Sequence, residues 1–235
     1  MQGKLILFPV AIGGEQLEQV LPPKNRELLD DCTTFIVEEL RSARRFLKQA
    51  GYSHAIDDTE FLVLNEHTSE RDIVGYLDAT ARGGNVGLLS EAGLPCVADP
   101  GMMITRMAQE RGIEVVPLVG PSSLMLALMG SGLNGQRFAF KGYLPVERGQ
   151  RCKALRDIEA RALRENETQI FIEAPYRNNQ MLESLLACCK ETTRVCVACD
   201  LTMPTQYLRT MTVQEWKCTE LPQLHKRNTV FLLGR

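Results

Sequence analysis

The sequence predicts two α/β domains, with a mainly parallel sheet in the first and a mixed sheet in the second. Three observations carry this reading. Short apolar runs alternate with amphipathic segments through the first half, the pattern of strand–helix–strand units. The uncharged stretch 115–136 is interrupted by Pro117, Gly120, Pro121, Gly130, Gly132 and Gly135, so it reads as a buried strand, a turn and a short helix leading into a second unit. After the last large helix, strand patterns follow one another with little helix between them, which calls for antiparallel pairing. The division falls at 1–118 and 119–235.

Taken in order, residues 4–8, 33–37, 61–64, 86–90 and 113–118 are apolar runs of strand length. The helical pattern 41–50 puts Leu40, Ala43, Phe46 and Leu47 on one side and stops at Gly51. The pattern 69–81 opens with Ser69, then Glu70 and Asp72, acids suited to the positive end of a helix. Residues 121–135 make the crossover. The second half then reads as strand 138–141, long charged helix 148–164, strand 168–172, amphipathic helix 178–190, and strands 194–198, 206–212 and 228–233.

Composition excludes several classes. With 235 residues, 44% apolar and 24% charged, the chain is neither disordered nor collagen-like nor a coiled coil. Its net charge of -2 means that a polyanionic partner must be met by a local patch. Arginine outnumbers lysine, which fits either anion recognition or genomic base preference. The broken stretch 115–136 argues against a membrane span, and the apolar run 5–12, with Pro9 inside it, is a poor secretory signal, so the expected location is the cytoplasm. Eight cysteines then read as free thiols. Cys196 and Cys199 point to opposite faces of a strand, and His54, His67 and His225 are isolated, so no metal site is expected.

Open α/β sheets bind ligands beyond the carboxyl ends of their strands. The loop after the first strand, 8–14, is neither a dinucleotide fingerprint nor a phosphate loop. The loop 90–101 is rich in small residues, and Asp99-Pro100 suits a helix start aimed at the same crevice; it is either a ligand loop or an ordinary strand-to-helix connection. The loop 119–123 is uncharged and hydroxyl-bearing, fit for a small-molecule pocket or for a turn alone.

Residues 88–101 and 119–145, including Gly132-Leu133, Arg137-Phe138-Ala139-Phe140 and Gly142-Tyr143-Leu144-Pro145, resemble the tetrapyrrole methylase superfamily of S-adenosylmethionine-dependent methyltransferases. The nearest branch is the ribosomal RNA small-subunit methyltransferase I type, a ribose 2'-O-methylase. Residues 9–14, 35–47, 171–177 and 228–233 extend the match over nearly the whole chain. The resemblance implies two α/β domains with S-adenosylmethionine in the cleft between them, usually in a homodimer, and ribosomal RNA or the small ribosomal subunit as partner. By position it implies a cofactor set of Pro9, Ser90, Glu91, Ala92, Pro95, Ser122, Ser123, Glu173, Ala174, Leu201 and Thr202. The chain departs from the branch at Glu38-Glu39-Leu40-Arg41, where an acidic residue and a threonine usually precede the arginine, at Ala174-Pro175-Tyr176-Arg177, where Ser-Pro-His-Arg is usual, and at Glu91, usually Asp. The C-terminal extension of longer relatives is not expected after Arg235.

Methyl transfer from a sulfonium is an in-line displacement, so positioning and water exclusion carry the rate. A ribose hydroxyl must lose its proton, and Glu39 and Glu173 are the candidate bases, unless each pairs with an arginine such as Arg41 or Arg177. Arg41, Arg44, Arg45 and Lys48 share one helical face and would either neutralise phosphates or simply be solvated. Arg41, Arg44 and Arg177 are the substrate-binding candidates, with Tyr176 placed either to stack on a base or to pack. Two other readings stay open: a small-molecule methylase of tetrapyrrole type, and a non-catalytic relative that binds S-adenosylmethionine.

Overall fold

The computed structural model describes every residue except Met1, Glu15 and Glu66. It divides into two compact units, Met1–Ser122 and Ser123–Arg235.

The first unit runs β1 (Leu5–Phe8), α1 (Leu17–Val20), α2 (Pro23–Leu29), β2 (Cys32–Val37), α3 (Leu40–Ala50), β3 (Glu60–Val63), α4 (Asp78–Ala81), β4 (Asn85–Leu89), α5 (Met102–Glu110) and β5 (Val115–Pro117). Its five strands lie in the order β3-β2-β4-β1-β5, and every pairing is parallel, as the alternating pattern requires. Side chains alternate across the sheet. Ile6, Phe8, Phe35 and Val37 pack against Leu17, Leu29, Phe46 and Leu47, while Leu5, Leu7, Ile36 and Leu88 pack against Ile73, Leu77, Ile104 and Ala108 on the other face. The chain leaves the neighbouring strands β1 and β4 toward opposite faces, which opens a crevice at their carboxyl ends.

α3 forms where the sequence places it. Ala43, Phe46, Leu47 and Ala50 are buried, Glu39 caps the start, and Gly51 ends the helix at φ 76°. Two expectations need correction. Residues 70–77 form successive turns, and only Asp78–Ala81 is α-helical. Asp72 accepts from the Ser69 amide (2.9 Å) and hydroxyl (2.7 Å), an arrangement suited to a helix start, but the backbone bonds that follow are i+3 turns, Tyr76 N to Ile73 O and Asp78 N to Gly75 O, with Gly75 among them. Asp99 is not the N-cap of α5; that position is Gly101, and Asp99 Oδ1 instead accepts from the amides of Cys96 and Gly101, both at 2.8 Å, tying the loop to itself.

The second unit runs α6 (Ser123–Ser131), β6 (Phe138–Tyr143), α7 (Arg148–Glu165), β7 (Thr168–Ile172), α8 (Asn178–Cys188), β8 (Arg194–Cys199), β9 (Tyr207–Thr212), α9 (Val213–Lys217) and β10 (Thr229–Gly234). Its strand order is β6-β7-β10-β8-β9, with β6 and β7 parallel and the other pairs antiparallel, which is the expected mixed sheet. One face carries Phe171, Val195, Val197, Phe231 and Leu233 against Leu155, Ala162, Met181, Leu185 and Trp216 of α7, α8 and α9. α6 packs on β8, β9 and β10, and Thr210 Oγ1 donates to Ser131 O at 2.7 Å.

The thiol reading changes in one respect. Cys152 on α7 and Cys188 at the end of α8 are joined in a disulfide, their Cα atoms 5.6 Å apart, because the two helices flanking β7 pack side by side. Six cysteines are free, and only Cys218 is exposed. Burial pushes Cys32 and Cys189 up to about 12 and Cys196 up to about 11, and also raises Cys96 and Cys199. At pH 8 a thiol raised to about 12 is ionised to about one part in ten thousand, and one raised to about 11 to about one part in a thousand. Iodoacetamide applied to the folded protein is therefore expected to label Cys218 and spare Cys32, Cys189 and Cys196 until denaturant is added. Peptide mass spectrometry reads this out, and early labelling of Cys189 would contradict it. Among the described residues no group of histidine, cysteine and carboxylate side chains is placed to hold a metal ion.

Candidate functional site

Three loops at the carboxyl ends of β1, β4 and β5 are knitted together. The Val10 amide donates to Gly93 O at 2.9 Å. A Cβ on Gly120 would lie 2.1 Å from the Cβ of Pro9, so the β5 loop crosses the β1 loop at a distance only glycine permits. Gly93, at φ 74°, sits against Ile12 and Pro121 O. Two non-glycine residues of the same β4 loop, Cys96 (φ 66°) and Ala98 (φ 60°), are held in the left-handed region, a strain that the surrounding contacts must enforce.

Under these loops the first unit holds a cavity of about 400 Å³. Val10, Ala11, Gly13 and Gly14 wall it from β1, Leu89, Ser90 and Glu91 from β4, and Ser42, Arg45, Phe46 and Gln49 from α3. Ser42 Oγ donates to Glu91 Oε1 at 2.7 Å, coupling the helix to the β4 loop. Ser90 is buried and donates to Ala92 O at 3.2 Å. The cavity therefore offers apolar walls, two hydroxyls, a carboxylate, a guanidinium and an amide.

Of the residues named from sequence, Ser90 and Glu91 line this cavity. Pro9 is buried beneath Gly120, Pro95 is buried, and Ala92 is exposed; none of the three is in the cavity wall. Ser122 closes the first unit and Ser123 opens α6. The basic face of α3 divides: Arg41, Arg44, Arg45 and Lys48 are all exposed, but Arg45 lines the cavity while Arg44 lies over the Phe61 ring, 5.6 Å from its centroid. Ser42 and Gln49 were not singled out in the sequence. Their signal was present: with Arg45 they fall at i, i+3 and i+7, a stripe flanking the apolar face of α3.

Glu39 is not a free base. Its two carboxylate oxygens accept from the amides of Arg41 (2.8 Å) and Ser42 (2.7 Å), and those amides hold its pKa below the usual carboxylate range. That contribution to stability is present above the unfolded carboxylate's pKa and fades as pH falls through the depressed value.

In the second unit, Glu173 and Ala174 follow β7, and Leu201 and Thr202 follow β8. The Glu173 side chain is 1% exposed. Its Oε1 accepts from Arg177 Nε (3.0 Å) and Nη2 (2.7 Å) and from the Ala174 amide (2.7 Å), so Glu173 takes the arginine partner rather than standing free. Arg177 Nη1 donates to the Tyr176 hydroxyl at 2.7 Å. Leu201 is buried, Asp200 (φ 46°) and Thr202 (φ 70°) are left-handed, and Asp200 Oδ2 binds Arg227 Nε at 2.7 Å, which pins this turn to the start of β10.

A family profile described as Tetrapyrrole (Corrin/Porphyrin) Methylases matches residues 13–217. Proteins named "Ribosomal RNA small subunit methyltransferase I" are similar to this chain. That of Escherichia coli O157:H7 is 32% identical over 201 residues, covering 86% of this chain and 66% of that protein. That of Pseudomonas aeruginosa is 33% identical over 179 residues, covering 76% and 59%. That of Leptospira borgpetersenii is 32% identical over 187 residues, covering 79% and 68%. The chain spans about two thirds of the length of these relatives or less. The crystal structure of the methyltransferase CobJ matches with a TM-score of 0.65 at 17% identity, covering 99% of this chain and 94% of that one, which shows a shared fold.

Proposed function

The chain belongs to the tetrapyrrole (corrin/porphyrin) methylase family, and from that premise we propose that it is an S-adenosylmethionine-dependent methyltransferase acting on a ribose 2'-hydroxyl of small-subunit ribosomal RNA. The cavity of the first unit is the observation that carries the reading. Its volume of about 400 Å³ suits a nucleoside-sized ligand, and its donor set fits this one. Val10, Leu17, Phe46 and Leu89 offer apolar contact, while Glu91 can meet a cation or a ribose diol. When bound, the cofactor supplies an electrophilic methyl group. The protein's part is to fix the acceptor in line and exclude water, for which loops locked to one another are well suited. Neither Glu39, spent on a helix cap, nor Glu173, paired with Arg177, is assigned the acceptor's proton. Arg41, Arg44 and Arg177 remain the proposed RNA contacts, and a cytoplasmic homodimer the proposed assembly. No helix among the described residues is long and apolar enough to cross a membrane.

Calorimetry with S-adenosylhomocysteine should show binding. Labelled methyl from S-adenosylmethionine should then pass to isolated small ribosomal subunits. Transfer to a tetrapyrrole precursor instead would favour the small-molecule reading, binding without transfer to either would leave a non-catalytic relative, and no binding would defeat all three.

A further inference from the structure

We propose that Tyr143 and Tyr176, at the carboxyl ends of the adjacent strands β6 and β7, form a stacking platform on the second unit for the unpaired bases of single-stranded RNA. The proposal rests on the RNA reading above and adds how that substrate is held. Tyr143 ends β6 and is 63% exposed; Tyr176 follows β7 and is 58% exposed. Two large aromatic side chains so open to water at the ends of a paired parallel β6–β7 ribbon contribute little to the core, whose aromatic members Phe171, Trp216 and Phe231 are wholly buried.

Arg177 fixes Tyr176. Its guanidinium is gripped by buried Glu173, its Nη1 donates to the Tyr176 hydroxyl, and its Cζ lies 4.9 Å from the Tyr176 ring centroid. On the neighbouring strand Tyr143 is in register with Ile172, the residue before Glu173. The Tyr176 ring is thus held in place before any ligand arrives, which lowers the ordering cost of stacking a base on it. Charge around the platform suits a polyanion. Arg148 and buried Arg151 lie on the α7 start that follows Tyr143, and exposed Lys226 donates its amide to Pro175 O beside Tyr176. Arg177 is offset by Glu173 and Arg151 is turned inward to Ser184 and Val146 O, so exposed Arg148 and Lys226 are the cations that follow Tyr143 and adjoin Pro175. Open aromatic faces, one of them braced by an arginine, match the unpaired bases of a single strand rather than an enclosed small molecule.

The test is fluorescence anisotropy of the full chain with a labelled single-stranded RNA of roughly 12 nucleotides, and with the same strand made abasic. Tyr143→Ala and Tyr176→Ala should each weaken binding by about 10-fold, while the phenylalanine variants stay within about 2-fold, since a ring and not a hydroxyl is required. Abasic RNA should bind weakly and be indifferent to both alanine substitutions. Unchanged S-adenosylhomocysteine calorimetry and melting temperature establish that the variants are folded. If the unmutated protein binds RNA but the alanine variants bind equally well, or if abasic RNA binds as tightly as the intact strand, the platform is wrong and the RNA reading stands. If the unmutated protein binds S-adenosylhomocysteine but no RNA, both fall.

Discussion

Trp216→Ala is expected to destabilise the second unit by about 4 kcal/mol, lowering its melting temperature by roughly 10–20 °C. Trp216 is completely buried in the α7, α8 and α9 core, and its Nε1 donates to Val195 O on β8 at 2.9 Å. Truncation removes both the ring and that bond, leaving a cavity at the root of α9, whose short length gives it no stability of its own. Trp216→Phe, which keeps most of the apolar volume, should lose much less. Differential scanning calorimetry reads both variants. Because the chain has one tryptophan, the fluorescence of the unmutated protein reports the second unit alone. A loss below about 1 kcal/mol in the alanine variant would show that the core closes over the gap.

Ala11→Trp is expected to abolish measurable S-adenosylhomocysteine binding, a rise in Kd of about 100-fold or more, by placing an indole inside the first-unit cavity. Ala92→Trp is the discriminating companion, since Ala92 is exposed and outside the cavity wall. Loss at Ala11 puts the cofactor in the cavity; loss at Ala92 with normal binding at Ala11 moves it to the outer side of the β4 loop. Circular dichroism and melting temperature separate either result from unfolding.

The strands were legible because each is a short apolar run. Residues 168–172 match β7, and the last strand of each unit is off by no more than two residues at either end. What escaped was short or locally overridden. α1, α2 and α9 have four, seven and five residues, too few for a periodicity to show, and Pro22-Pro23, which reads as loop, places a proline at the first position of α2. The 69–81 pattern had helical periodicity, but Gly75 lies inside it and the backbone closes i+3 turns there instead of a continuous helix. In the candidate site, the loops could be found from their position after strands, whereas the engagement of Glu39 and Glu173 depends on where single side-chain oxygens point. The Cys152–Cys188 pairing depends likewise on how two helices pack to bring together cysteines 36 residues apart, which no local pattern encodes.

The interlocking of the β1, β4 and β5 loops bears on how this protein could be re-engineered. With Gly120 resting on Pro9 and Gly93 on Ile12 and Pro121, no one of these connections can be swapped without disturbing the other two. Libraries aimed at new ligands are better built on α3, a helix capped at both ends, where Arg45 and Gln49 present their side chains to the same chamber without the tie to the β4 loop that Ser42 makes through Glu91.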